Sequence, residues 1–237
     1  MAYRFVDMAS DPRSGQFAYF RSMADPWAGI TVQVDITAFH AAVQGRPFFL
    51  SFLYALTRAA NAVPEFRRRL LNGQVVEFDR CCPSYTAMKD SGVYVYCLVD
   101  SGLLPYEEFL EEGKRRQAEA LAGDELVESG DPLSNFFVSC VPWLAYTQLK
   151  HPHVGPEDSN PRFSWGKYTE ANGRITMPVT VFVNHALADG WHITQFFRNL
   201  ERELAELTEK IKINSYKRSN QLCLIPITAS TSCGKCS

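Results

Sequence analysis

Val-Asn-His-Ala-Leu-Ala-Asp-Gly-Trp-His, residues 183–192, joins two opposite hydrophobic periodicities. Before it, Ile-Thr-Met-Pro-Val-Thr-Val-Phe-Val (175–183) is apolar and β-branched, the pattern of a strand, with Pro178 hinting at an edge or a bulge. After it, Ile193, Phe196, Phe197, Leu200, Leu204 and Leu207 recur along one helical face, while Arg198, Glu201, Arg202 and Glu203 fill the other. A strand that turns sharply into a long amphipathic helix is a unit of an α/β layer. The turn itself carries His185, Asp189 and Gly190. Histidine is the side chain whose unperturbed pKa lies near neutrality, so at such a turn it can take a proton and return it.

Working outward, residues 29–39 read as a strand and 47–62 as an apolar helix that stops before Pro64. Residues 74–79, 84–88, 92–99 and 136–143 are further strands, and 105–122 is a surface helix with one buried stripe. Residues 150–162, rich in proline, form a loop. No internal repeat interrupts this irregular alternation. With 237 residues, 46% of them hydrophobic and 21% charged, the chain can build one sizeable core. After Leu207 the pattern gives way to Lys, Ser, Thr and Cys. The expected organisation is one domain, 1–207, and an appended tail, 208–237, disordered or introduced in cloning.

The formal net charge of −2, with both signs interspersed, excludes a nucleic-acid footprint. Apolar runs such as 47–56 are too short for a membrane span, and residues 1–8 lack the apolar core of a secretory signal, so a cytoplasmic protein is expected. Seven cysteines, an odd number without an export signal, do not form a disulfide framework. Cys233 and Cys236 have metal-knuckle spacing but no second pair, and His151, His153 and His192 have no carboxylate or cysteine at zinc-like spacing, so no metal is expected.

Taken singly, each candidate residue has an ordinary reading. His185 could be a hydrogen-bonded core histidine, Ser139 any strand hydroxyl, Asp189 a helix cap, and Arg13 and Lys167 solvated charges. Together, His-Ala-Leu-Ala-Asp-Gly (185–190), Ser-Cys-Val-Pro-Trp (139–143), 32–39, Pro-Glu-Phe-Arg (64–67) and Ser-Trp-Gly-Lys-Tyr (164–168) form one ordered set. From about Tyr3 to Leu207 this set resembles chloramphenicol acetyltransferases of type A. The first element alone, HxxxDG, is shared with dihydrolipoamide acyltransferases. Those lack Ser-x-x-Pro-Trp, and their lipoyl and linker segments have no counterpart in this sequence.

The resemblance implies an α/β two-layer sandwich, a mixed sheet covered by helices on one side. It implies a homotrimer with active sites between subunits, no permanently bound cofactor, and acetyl-CoA and chloramphenicol as substrates. By the same resemblance, His185 is the general base that deprotonates the antibiotic's hydroxyl as it attacks the thioester, and Ser139 steadies the tetrahedral oxyanion. Asp189 and Arg13 match a structural ion pair. Ser164 stands where threonine is usual, a hydroxyl assisting through water, and Lys167 matches a lysine near the coenzyme A phosphates. Direct transfer in a ternary complex is implied, with no acyl-enzyme.

The sequence departs from the family in places. Asn184 replaces the first of two histidines, Arg162 falls in a stretch usually apolar, and segments 24–30, 89–96 and 149–154 match least. Trp27, Tyr94, Tyr96, Leu149 and Phe163 are the candidates for lining the acceptor pocket. The altered segments leave open an acetyl-CoA-dependent O-acyltransferase acting on another hydroxyl. A non-enzymatic trimeric binding module ranks last, because His185 and Ser139 are both present.

Overall fold

The computed structural model describes residues 1–99, 104–123, 131–155 and 157–222, with side chains as far as Tyr216. Strand β1 (Tyr3–Val6) and helix α1 (Ser14–Arg21) precede β2 (Trp27–Asp35), α2 (Thr37–Ala42) and α3 (Phe48–Asn61). Then follow β3 (Arg68–Leu71), β4 (Gln74–Phe78), β5 (Cys82–Met88), β6 (Tyr94–Leu98) and α4 (Tyr106–Ala122). The chain closes with β7 (Asn135–Val141), β8 (Arg162–Gly166), β9 (Thr169–Ala171), β10 (Arg174–Asn184) and α5 (Gly190–Leu222). A small sheet has the order β1-β4-β3, and the main sheet runs β2-β10-β8-β7-β5-β6, with β9 on β10. The pairs β5–β7 and β7–β8 are parallel and the others antiparallel.

Helices cover one face of the main sheet. Val181, Phe163 and Val138 lie in one cross-strand row on that face, beneath α3 and α5, among Phe52, Phe66 and Phe196. In α5, Ile193, Phe196, Leu200, Leu204 and Leu207 are all buried, each contributing roughly 1.5–3 kcal/mol of gross apolar transfer. The mixed sheet with helices on one side is the expected α/β architecture.

Several expectations need correction. The strand expected to reach residue 39 ends at Asp35, whose carboxylate accepts from the Thr37 backbone N–H at 2.9 Å and starts α2. Helix α5 does not stop at Leu207. It continues to Leu222 with Thr208 and Ile211 buried on the same face, because 204, 207, 208 and 211 extend its period. The polar composition of residues 209–216 reflects the solvent side of that helix, and residues 223–237 lie outside the described residues. Phe163 is fully buried, with its ring 5.1 Å from that of Phe196 and 5.5 Å from that of Phe136. It belongs to the helix-side core and not to an acceptor pocket, since period two along β8 points it opposite to Ser164.

Pro178 lies within a central strand, not on an edge. Its pairing partner is Gln33 on β2, while β8 pairs with 179–182 and β9 with 174–176. The missing N–H therefore falls in the gap between β8 and β9.

Candidate active site

The turn after β10 is assembled by side chains on both flanks. Asn184 accepts a hydrogen bond from the Ala186 N–H at 3.1 Å and donates to the Asp158 carbonyl at 3.1 Å. The amide at this departure thus closes an Asx turn and anchors it. The His185 N–H donates to the Pro26 carbonyl at 2.6 Å, and its ring stacks on Phe20 at 3.8 Å between centroids. The Nδ1 of His185 is buried without a hydrogen-bond partner among the described residues, which leaves Nε2 as the nitrogen for proton exchange.

Arg13, immediately before α1, holds both ends of this turn. It donates to the Leu187 carbonyl at 2.6 Å and the His185 carbonyl at 3.3 Å, and lies 3.4 Å from the Asp189 carboxylate. Asp189 in turn accepts from the Trp191 N–H at 2.9 Å, capping α5, so the cap and the ion pair coexist. Its other neighbour, His192, is 3.7 Å from Glu65. Arg13, Asp189 and His185 are therefore brought together.

The remaining candidates lie on the sheet face opposite the helices. Thr31, Thr180, Ser164 and Ser139 stand in one row across β2, β10, β8 and β7. Thr31 and Thr180 hydroxyls are 2.8 Å apart. Beside this row runs a groove of about 1360 Å³ lined by Ser139, Tyr94, Tyr96, His151, Arg162 and Lys167, among others. Lys167 is exposed at its rim. Trp27 and Leu149 border a separate cavity of about 480 Å³, with Thr31 and Phe182.

Three polar residues make this region unlike a plain apolar pocket. Arg162 is buried, paired with Asp158 at 2.5 Å, with its guanidinium 4.7 Å from the Trp27 ring and 5.3 Å from the Phe137 ring. His153 stacks on Trp27 and pairs with Asp25 at 3.0 Å, and Lys150 reaches the same carboxylate at 3.2 Å. His151 lies 2.6 Å from the Ser164 hydroxyl. Burial, then the charge of Arg162, lowers the His151 pKa to about 4, so the ring is neutral at pH 7. The sequence offers both histidines only as metal ligands by count, within a segment that departs from the family. The signal was Arg162 in an otherwise apolar strand, which needed an acidic partner and aromatic walls.

His185 borders neither cavity. Ser139 is level with Thr180, two strands away, and His185 is five residues beyond Thr180. At ~3.3 Å per residue and ~4.8 Å per strand, the two backbones are about 20 Å apart within one chain. They cannot act on the same substrate atom from a single chain. Among the described residues, no group of three or more His, Cys, Asp or Glu could hold a metal. No helix among them is long and apolar enough to cross a membrane.

With this geometry in view, the relatives are informative. The family model described as chloramphenicol acetyltransferase matches residues 1–201. A chloramphenicol acetyltransferase of Klebsiella sp is 31% identical over 206 residues, 84% of this chain and 93% of that protein. Among solved structures, one titled chloramphenicol acetyltransferase aligns with a TM-score of 0.75 at 26% identity, covering 86% of this chain and all of that one. A dihydrolipoamide acetyltransferase of Azotobacter vinelandii aligns with a TM-score of 0.61 over 82% of this chain and 87% of that one, and at 15% identity it shares the fold alone. The chain belongs to the chloramphenicol acetyltransferase family and is an acyltransferase.

Proposed function

We propose that the protein inactivates chloramphenicol by transferring the acetyl group of acetyl-CoA to its hydroxyl, in a homotrimer with active sites between subunits. The observation that carries this reading is the division of the chain into a base-bearing turn and a serine-bearing groove about 20 Å apart. A neighbouring subunit that presents His185 over the Ser139 groove completes the site.

In this mechanism Nε2 of His185 takes the hydroxyl proton while the oxygen attacks the thioester carbonyl, and later returns it to the departing thiolate. Arg13, Asp189 and Phe20 hold the imidazole in register. The Ser139 hydroxyl donates to the oxygen on which charge develops, a contact worth roughly 3 kcal/mol in comparable sites. Cys140, the thiol next to Ser139, has its pKa pushed up to about 12 by burial and stays protonated, in keeping with direct transfer in a ternary complex rather than an acyl-thiol intermediate. Lys167 at the rim suits the coenzyme A phosphates.

The test is thiol release from acetyl-CoA in the presence of chloramphenicol, compared with His185→Ala. Turnover lost in a variant that still assembles supports both reaction and base; activity retained within tenfold removes His185 from that role. A second reading, acetylation of a different hydroxyl compound, draws on the polar Arg162, His151 and His153 beside the acceptor region. Folded protein that releases no thiol with chloramphenicol but does so with another alcohol favours it.

A further inference from the structure

In the hydroxyl row across the main sheet, Thr180 is buried against Thr31, and Ser164 against His151. Ser164 is fully buried and does not border the groove, although Ser139, its neighbour in register on β7, does. His151 stands between Ser164 and the cavity: its Nε2 is 2.6 Å from the Ser164 oxygen, and its ring lines the groove. The ring's other nitrogen, Nδ1, has no hydrogen-bond partner among the described residues, and unlike Nδ1 of His153 or His185 it is not shut off from solvent.

We propose that His151 is a substrate-contacting residue, held in one orientation by Ser164, whose Nδ1 hydrogen-bonds an uncharged polar group of the acceptor other than the hydroxyl being acetylated. Ser164 is then a positioning residue acting through His151. The distances favour this division. Ser139 and Ser164 sit one strand apart, about 4.8 Å at the backbone, so an acceptor held against Ser139 lies within reach of the ring above Ser164. The burial of the ring, and then the neighbouring Arg162 guanidinium, keep the imidazole neutral at pH 7, which suits a hydroxyl or amide and not a carboxylate. The inference rests on the acetyltransferase reading for the identity of the groove.

The two ring nitrogens can be tested apart. His151→Asn places an amide near Nδ1 and abandons Ser164, whereas His151→Gln reaches toward Ser164 and abandons Nδ1. Binding of chloramphenicol and of acetyl-CoA is measured calorimetrically for wild type, His151→Phe, His151→Asn and His151→Gln. Loss of one hydrogen bond predicts about tenfold weaker chloramphenicol binding for Phe and Gln, within threefold of wild type for Asn, and acetyl-CoA binding unchanged for all. Unchanged chloramphenicol affinity in His151→Phe, or equal weakening of both ligands, overturns the proposal. If the wild type itself does not bind chloramphenicol, that failure belongs to the acceptor reading. Nitrogen NMR of the labelled imidazoles then decides the inference: one neutral tautomer of His151 at pH 7, becoming a mixture in Ser164→Ala, upholds it, and a mixture already present in wild type refutes it.

Discussion

Asp189 and His192 meet across the first turn of α5, carboxylate to Nδ1 at 2.8 Å, while Arg13 approaches the same carboxylate from the start of α1. Burial raises the Asp189 pKa, but the charges of His192 and Arg13 and the backbone N–H groups of Trp191 and His192 outweigh it, and the net shift is downward. The carboxylate is thus favoured in its charged form by elements on both sides of the His185 turn. Asp189→Asn keeps the helix cap and removes the charge. We expect a loss of about 1 kcal/mol, a Tm lower by roughly 2–4 °C, and at least a tenfold fall in kcat as the turn loosens. A variant that loses stability but keeps full kcat would show that the turn holds without the pair.

Ser139→Ala addresses the other half of the site. An oxyanion contact exists mainly in the transition state, so kcat should fall about 100- to 1000-fold while KM for both substrates moves little. Steady-state thiol release separates the two, and an effect confined to KM would contradict the role.

The depressed pKa of His151 makes a prediction about acid stability. Its folded value is about 4 against an ordinary 6.5. Between these values the unfolded chain binds the proton and the folded chain does not, so stability rises with pH through this window and is lost on acidification. The full contribution is on the order of 3 kcal/mol. Urea midpoints at intervals from pH 4.5 to 7.5 should show a shallower dependence in His151→Gln than in wild type. Identical slopes would count against a neutral buried imidazole.

The extension of α5 reverses a natural expectation about truncation. Ending the chain after Leu207 removes Ile211 from the core, and Thr208 with its 2.7 Å bond to the Leu204 carbonyl. We expect a cost of about 2–4 kcal/mol, matched by Ile211→Ala, whereas ending after Tyr216 should be nearly neutral. Equal melting temperatures for the two truncations would refute this.

What was legible in the sequence follows from periodicity. The apolar face of α5, the β-branched run of β10 and the apolar helix before Pro64 each announce themselves within a short window, and the motif around His185 and Ser139 identifies the family. What was not legible depends on contacts distant in sequence. The burial of Phe163 is fixed by the parity of β8, a strand the local pattern did not reveal among prolines and polar residues. The tolerance of Pro178 depends on where two other strands end. His151 meets Ser164 only because a 13-residue excursion folds back over the sheet. No local pattern encodes such a return.

The distance between the Ser139 groove and the His185 turn also has a genetic consequence. On the proposed cyclic trimer, each junction takes its base from one chain and its serine from the next. A cell making only His185→Ala chains, or only Ser139→Ala chains, would have no intact junction. A cell making both would have one intact junction in every mixed trimer, formed where a chain with a sound histidine faces a chain with a sound serine. Two impaired alleles should therefore rescue one another in trans, and a single allele carrying both changes should be rescued by neither.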